Sequence, residues 1–233
     1  MDELFERAAL GPLHDVVTRS PGVVIHGPRG CGKRTLAEVV TRAPGHEIVS
    51  LDDPAMLALA LEDPAGFAWD LPERVVLEEV QRAPGLLPAL AAELGRNPVP
   101  GRLIATSAGG QSEYPTLAAF RLDPVSQSEF GDWNSAFTGR LFAGDFDEGD
   151  SERLGFELDE RVVDGGYPDA IFEATAAARA EWYGAHVRRT VDEDIAAGSR
   201  LRNPAELGDV LTAVADRTSE LLNVSELSDA TGP

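Results

Sequence analysis

Nine residues, Gly27 to Thr35 (GPRGCGKRT), carry the clearest chemistry in the chain. A phosphate-cradling loop reads G-x-x-x-x-G-K followed by Ser or Thr. Its glycines let successive backbone N–H groups converge on an anion, and its lysine reaches the β- and γ-phosphates as a flexible point charge. Gly27, Gly32 and Lys33 meet that spacing, with Pro28, Arg29, Gly30 and Cys31 between them. Arg34 stands where the hydroxyl belongs, and Thr35 comes one place late. A glycine-rich turn with an incidental lysine is the plain alternative.

Phosphoryl transfer needs a second piece, an acidic group at the end of a neighbouring strand. Val75, Val76 and Leu77 read as such a strand, and Glu78-Glu79 come directly after it. Glu78 is placed to hold the water shell of Mg²⁺ and Glu79 to polarise an attacking water. Paired acids at a solvated helix start, where they favour the helix dipole, are the competing account. Thr106 and Ser107 end another apolar run, RLIATS, and either sense a γ-phosphate or cap the next turn of the chain.

These residues need elements to position them, and the surrounding pattern supplies them. Val23–His26, Glu47–Leu51, Arg74–Leu77 and Arg102–Thr106 are short apolar runs bounded by Pro, Gly or charges, as strands buried on both faces are. Leu36, Val39, Val40 and Ala43 recur at offsets of three and four, which predicts an amphipathic helix directly behind the loop. LLPALAAEL, Leu86 to Leu94, predicts another after the third strand. The alternation implies an α/β fold with a parallel sheet. Acidic AGDFDEGDSE, Ala143 to Glu152, reads as a linker, dividing the chain into 1–145 and 146–233. Beyond it the pattern is helical: ATAAARAEWYGAHVRRTVDEDI and PAELGDVLTAVADRTSELL have helical composition and spacing, with Asn203 as a cap before Pro204.

Composition sets the bounds. The 233 residues suffice for a sizeable core, and a hydrophobic fraction of 43% is that of a folded protein. Forty acidic residues against twenty basic ones give a net charge of −20, which repels phosphate backbones and makes direct nucleic-acid binding by this chain an unfavourable reading. Cys31 is the single cysteine, so no intramolecular disulfide forms, and a reducing compartment is expected. The start MDELFERAALGP is acidic and lacks an apolar core, and no run of about eighteen apolar residues comes after it. The expectation is a cytoplasmic protein without membrane contact.

Taken together, GPRGCGKRTL, LDDP at Leu51–Pro54, VVLEEVQRAPGLLPAL, RLIATSA, GGYPDA at Gly165–Ala170 and RTSELLNVSEL at Arg217–Leu227 resemble the prokaryotic P-loop ATPases of the AAA type that carry a C-terminal domain of unknown function, the DUF4143 type. The resemblance runs from about residue 20 to the C-terminus. It implies a three-layer P-loop NTPase fold with a parallel sheet, then a mostly helical domain, and it implies ATP as ligand. Gly27, Gly32, Lys33 and Thr35 stand where that family has them. Arg34 replaces the first of the family's two threonines, the Mg²⁺ ligand. Glu78 takes the place of the strand-end aspartate, and Glu79 that of the catalytic glutamate. Thr106-Ser107-Ala108 stands for Thr-Gly-Ser, and Leu117–Phe120 (LAAF) for Leu-Ala-Gly-Arg, with Arg121 one place late.

The departures fall on the metal and on transition-state stabilisation, while the backbone cradle and Lys33 are spared. Because phosphoryl transfer is largely positioning and charge neutralisation, misplacing Mg²⁺ slows the chemistry more than it weakens binding. Arg34 either supplies positive charge beside the β-phosphate or points to solvent from the first helical turn. NVSELSDATG has the form of the first helix of a helix-turn-helix, capped by Asn223 or Ser225 with Leu227 and Ala230 inward, so an incomplete motif in a truncated chain is expected. Two functions remain open: an ATP-binding protein that is a weak or impaired ATPase or an ATP-dependent switch, or a non-catalytic truncated relic acting, if at all, through protein contacts; a protein partner or a homo-oligomer is open for either.

Overall fold

A computed structural model describes residues 7–41, 45–109, 114–129, 137–144, 155–191, 207–221 and 223–231. The elements run α1 (Leu10–Val17), β1 (Gly22–His26), α2 (Lys33–Thr41), β2 (Glu47–Ser50), α3 (Pro54–Glu62), α4 (Pro64–Asp70), β3 (Val75–Glu78), α5 (Leu86–Arg96), β4 (Leu103–Ser107) and β5 (Leu117–Arg121). Then come α6 (Phe137–Ala143), α7 (Phe156–Asp164), α8 (Pro168–Ile171), α9 (Ala176–Arg189), α10 (Leu207–Ala215) and α11 (Val224–Thr231). All four expected strands are present to within a residue at either end.

The strands form one five-stranded sheet in the order β2-β3-β4-β1-β5, and each neighbouring pair is parallel. Alternation along the strands divides the core between two faces. Val24, Val75, Leu77, Leu103 and Ala105 pack with Ala60, Ala68, Leu86, Leu90 and Leu94 of α3, α4 and α5. Val23, Ile25, Val76 and Ile104 pack on the opposite side with Leu13, Val17, Leu36 and Ala37 of α1 and α2. The first part of the chain is therefore a three-layer α/β fold, as the alternating sequence predicts. Each fully buried Leu, Ile or Val of these layers contributes about 1.5–3 kcal/mol of transfer free energy.

Local signals explain the helix starts. Asp53 and Asp63 cap α3 and α4, accepting from the N–H groups of Ala55 (2.8 Å) and Gly66 (3.0 Å), and Pro54 and Pro64 open the first turns. β5 is a strand that the sequence pattern does not announce. Its LAAFR is alanine-rich, and pairing with β1 makes it extended, Gly22 opposite Leu117 through His26 opposite Arg121.

The chain divides into two compact units, Met1–Ala174 and Thr175–Pro233. The first therefore includes α7 and α8, and the GGYPDA turn belongs to it. Gly165 has φ +69°, the Val125 N–H donates to Gly166 O at 2.7 Å, and a Cβ on Gly166 would lie 2.6 Å from Val125 O. Most of the acidic linker segment lies outside the described residues.

The second unit is helical where described. Thr175 caps α9, accepting from Ala178 N–H at 3.1 Å, and the Trp182 and His186 rings stack 4.8 Å apart. α10 and α11 pack against one another. Asn223 caps α11 as expected, with Oδ1 accepting from Ser225 N–H at 3.1 Å, and Leu227 is half-buried. Asn203 and Pro204, the side chain of Ala230 and Gly232 lie outside the described residues. No helix among the described residues is long and apolar enough to cross a membrane.

Candidate phosphate-binding site

The carboxyl ends of β3, β4 and β1 lie side by side, and the segments leaving them converge on one edge of the sheet. This is where open parallel sheets place their ligands. Buried polar side chains concentrate there: Lys33, Glu78, Thr106 and Ser107 are all at most 6% exposed.

Gly27 leaves β1 in close contact with backbone. Its N–H donates to Ser107 O at 3.2 Å, and an added Cβ would lie 2.1 Å from Leu122 O, so glycine is required. Gly30 and Gly32 take φ +78° and +94°, the left-handed region that turns consecutive amides inward. Gly27, Pro28 and Arg29 are half-buried and Gly30 is exposed. Helix α2 starts at Lys33, so its positive dipole end opens onto the loop. Lys33 Nζ donates to Gly27 O and to Pro28 O, 2.9 Å each, which fixes the ammonium group inside the loop. Two of its three hydrogens are thus held, and one remains for a ligand.

Cys31 is fully buried, with Sγ donating to Leu122 O at 3.5 Å. Burial pushes its thiol up, against the opposing pull of Lys33 and Arg7. A protonated, enclosed thiol is a packing group here, not a nucleophile.

Arg34 does not extend freely into solvent. Its Nε donates to Glu38 Oε1 at 2.9 Å and lies 3.1 Å from Glu78 Oε1, so the guanidinium bridges α2 and the end of β3. The contact with Glu78 is ionic, and Oε1 of that buried carboxylate accepts no hydrogen bond. Burial pushes the Glu78 carboxyl up, Arg34 and a hydrogen bond from Ser50 oppose this, and Glu38 and Glu79 add to it. Arg34 itself is held above its usual value, first by the Glu38 hydrogen bond and then by Glu78. This donor set does not suit Mg²⁺. The hydroxyl is replaced by a cation with no acceptor atom, and the carboxylate beside it already faces that cation. Thr35 is exposed. Among the described residues no group of three or more His, Cys, Asp or Glu is arranged to hold a metal.

Glu79 sits in the left-handed region, φ +59° and ψ +42°, rare for a residue with a Cβ. Its N–H donates to Thr106 Oγ1 at 3.2 Å, and its Oε2 accepts from Gln81 Nε2. The sensor-position threonine therefore anchors the backbone of the candidate base. Ser107 Oγ accepts from Gly109 N–H at 3.0 Å, turning the chain after β4.

A buried clasp that sequence reasoning missed holds the loop from behind. Arg7 Nε donates to Glu129 Oε1 at 3.0 Å, Nη1 to Cys31 O at 2.8 Å and Nη2 to Asp123 O at 2.7 Å. Glu129 also accepts from the N–H groups of Ala8 (2.8 Å) and Ser126 (2.7 Å). No local pattern marks a pair so distant in sequence. Glu38, by contrast, is legible as the i+4 partner of Arg34.

An open cavity of about 850 Å³ lies elsewhere, between α1 and α2, lined by Leu10, Pro12, Val39 and Val40 among others. No residue of the glycine loop lines it, so the loop is the better candidate for holding phosphate.

Sheet order, the loop after β1 and the carboxylates at the end of β3 together define the P-loop NTPase class of fold. A family profile described as "Domain of unknown function (DUF8612)" matches residues 155–233, a different description from the DUF4143 type. Uncharacterized protein Rv2008c of Mycobacterium tuberculosis and uncharacterized protein Mb2031c of Mycobacterium bovis are each 31% identical over 98 residues, 42% of this chain. That stretch spans 22% of the length of either relative. Among solved structures, the Walker-type ATPase paby2304 of Pyrococcus abyssi is similar at 12% identity with TM-score 0.44, covering 94% of this chain and 77% of that one. The AMPPCP-bound DnaA from Aquifex aeolicus is similar at 12% identity with TM-score 0.38, covering 95% and 81%. These overlaps are loose, and the fold assignment rests on strand order and loop geometry.

Proposed function

We propose that the first unit binds the triphosphate of ATP on the loop Gly27–Thr35 and hydrolyses it slowly, as a weak ATPase or an ATP-dependent switch. One observation carries this reading: Lys33, 6% exposed, is fixed at the start of α2 inside a glycine loop with its ammonium group already in place. Burying a lysine costs free energy, and a packing role would be served better by an apolar side chain. The loop amides and the α2 dipole supply the anion cradle, and Lys33 offers its third ammonium hydrogen to a phosphate oxygen. Glu79 is the group placed to hold a water, with Thr106 fixing its backbone. Turnover is slow because the Arg34–Glu78 pair stands where phosphoryl transfer uses a divalent metal to neutralise developing charge.

The net charge of −20 argues against nucleic acid as a partner. A protein partner, self-association and a cytoplasmic setting complete the proposal; the single buried cysteine is consistent with the last.

The test is thermal unfolding of the full chain with ATP, ADP and no nucleotide, for wild type and Lys33→Ala. A ligand at 100 times its Kd stabilises by about 2.7 kcal/mol, which is about 5–10 °C for a chain this size. The expected result is such a rise for wild type and none for Lys33→Ala. No rise with either nucleotide would leave the reading of a non-catalytic protein acting through protein contacts.

A further inference from the structure

We infer that Arg34 is the resident cation of this site, and that the chain binds ATP without a divalent metal. The inference rests on the proposed nucleotide site and concerns the charge that neutralises the phosphates there. Arg34 lies in the first turn of α2, directly after Lys33, and its guanidinium closes over the buried Glu78 at 3.1 Å. Glu78 is the strand-end carboxylate that a metal's water shell would contact. Its side chain is 5% exposed, so the face toward Arg34 is its approach from the site.

A divalent ion arriving there would have to displace the guanidinium, and would meet like charge if Arg34 stayed nearby. The residue that replaced the ligating hydroxyl thus supplies positive charge and, through its pairing, occupies the remaining carboxylate. The pairing is coherent, since without Arg34 the buried Glu78 carboxylate would lose its cationic partner.

The guanidinium keeps capacity for a phosphate. Only Nε is engaged in a hydrogen bond among the described residues, donating to Glu38, so four of the five N–H donors remain on Nη1 and Nη2. A planar fork of that kind suits a bidentate contact with phosphate oxygens. With 64% of its side chain exposed, Arg34 can pivot toward a ligand while Glu38 holds its stem. The glutamates on either side keep it at the mouth of the loop in the absence of ligand. The site is then pre-charged: Lys33 from below, Arg34 from the side, and the amides of the loop between them.

Calorimetric titration of the full chain with ATP, in EDTA and in excess MgCl₂ at matched ionic strength, tests this directly. For wild type the expected Kd values agree within about twofold. For Arg34→Thr, which restores a hydroxyl and frees Glu78, affinity in EDTA should fall about tenfold or more and Mg²⁺ should recover it. A second arm uses no nucleotide. Mn²⁺ titrated into wild type should stay free by its paramagnetic resonance signal, and Arg34→Thr should take up about one ion. Melting temperatures of both proteins report that each is folded. Wild-type affinity that rises tenfold or more with Mg²⁺ overturns the inference while leaving nucleotide binding intact, as does Mn²⁺ uptake by wild type. Absence of ATP binding in both conditions sinks the nucleotide reading itself, and the metal-free inference with it.

Discussion

Arg7 Nε donates to Glu129 Oε1 at 3.0 Å, joining residues 122 positions apart behind the phosphate loop. The same guanidinium holds Cys31 O, so the pair couples the chain after β5 to the loop's conformation. Burial alone would raise the Glu129 carboxyl, but donors from Ser126, Ala8 and Arg7 outweigh it and hold it below the usual 4.5. A carboxylate whose folded value is depressed contributes stability above its unfolded value and loses it as pH falls through the folded one. Acidification below about pH 4.5 should therefore progressively remove the stability Glu129 contributes to wild type. Glu129→Gln should lose part of that pH dependence and about 2–4 kcal/mol at pH 7, since it leaves Arg7 without its charged partner. Urea unfolding across pH measures both, and unchanged slopes would remove Glu129 from the account.

Gly27→Ala should be among the most damaging small substitutions in the chain. Its Cβ would lie 2.1 Å from Leu122 O, a backbone atom that cannot rotate away. Relief requires moving β1 or the segment after β5, at a cost of about 3 kcal/mol or more. Gly11→Ala, in α1 with nothing within 4 Å, is the matched control and should be at least as stable as wild type. Equal midpoints for the two variants would contradict the tight path of the loop.

Arg34→Ala should destabilise the protein by about 1–2 kcal/mol, a modest value because the arginine is largely exposed. It leaves behind the buried Glu78 charge. The Glu78 carboxyl is already pushed up by burial, and losing Arg34 pushes it further. A raised folded value means the charged form costs stability, so the deficit of Arg34→Ala should be larger at pH 8 than near the usual 4.5. Adding Glu78→Gln to Arg34→Ala should restore most of the loss. A double-mutant cycle in urea gives the coupling, and additive losses would show that the 3.1 Å contact carries no energy.

Much of this architecture was legible because it is written in local pattern. Val75–Leu77 and Leu103–Ala105 are short apolar runs, and burial on both faces of a parallel sheet admits little else. The G-x-x-x-x-G-K spacing marks the loop between β1 and α2, while the left-handed conformations of Gly30 and Gly32 come from the structure. β5 was hidden because alanine has weak strand preference, and its conformation comes from β1 beside it. The direction of Arg34 was not legible either. Its i+4 partner Glu38 shares its helix, but Glu78 is brought to it by the sheet. The Arg7–Glu129 clasp depends wholly on tertiary closure, which sequence spacing does not encode.

Glu79→Gly separates strain from catalysis. At φ +59° a side chain with a Cβ costs about 1–2 kcal/mol, whereas glycine adopts that region freely. The glutamate is kept there by the bond from its N–H to Thr106 Oγ1, which glycine retains, and by the Gln81 contact to its carboxylate, which glycine loses. That side-chain contact is half-buried and worth about 1 kcal/mol, so the variant should be as stable as wild type or up to about 1 kcal/mol more stable. If Glu79 holds the attacking water, the same substitution should abolish the residual ATP turnover and leave ATP affinity within about twofold, because the loop and Lys33 are untouched. Melting temperature, titration calorimetry and phosphate release on one preparation distinguish the outcomes. A variant that is less stable by more than about 1 kcal/mol would mean that the carboxylate's contact with Gln81 outweighs the backbone strain. Unchanged turnover would remove Glu79 from the chemistry and leave its left-handed turn as a purely structural feature of the β3 end.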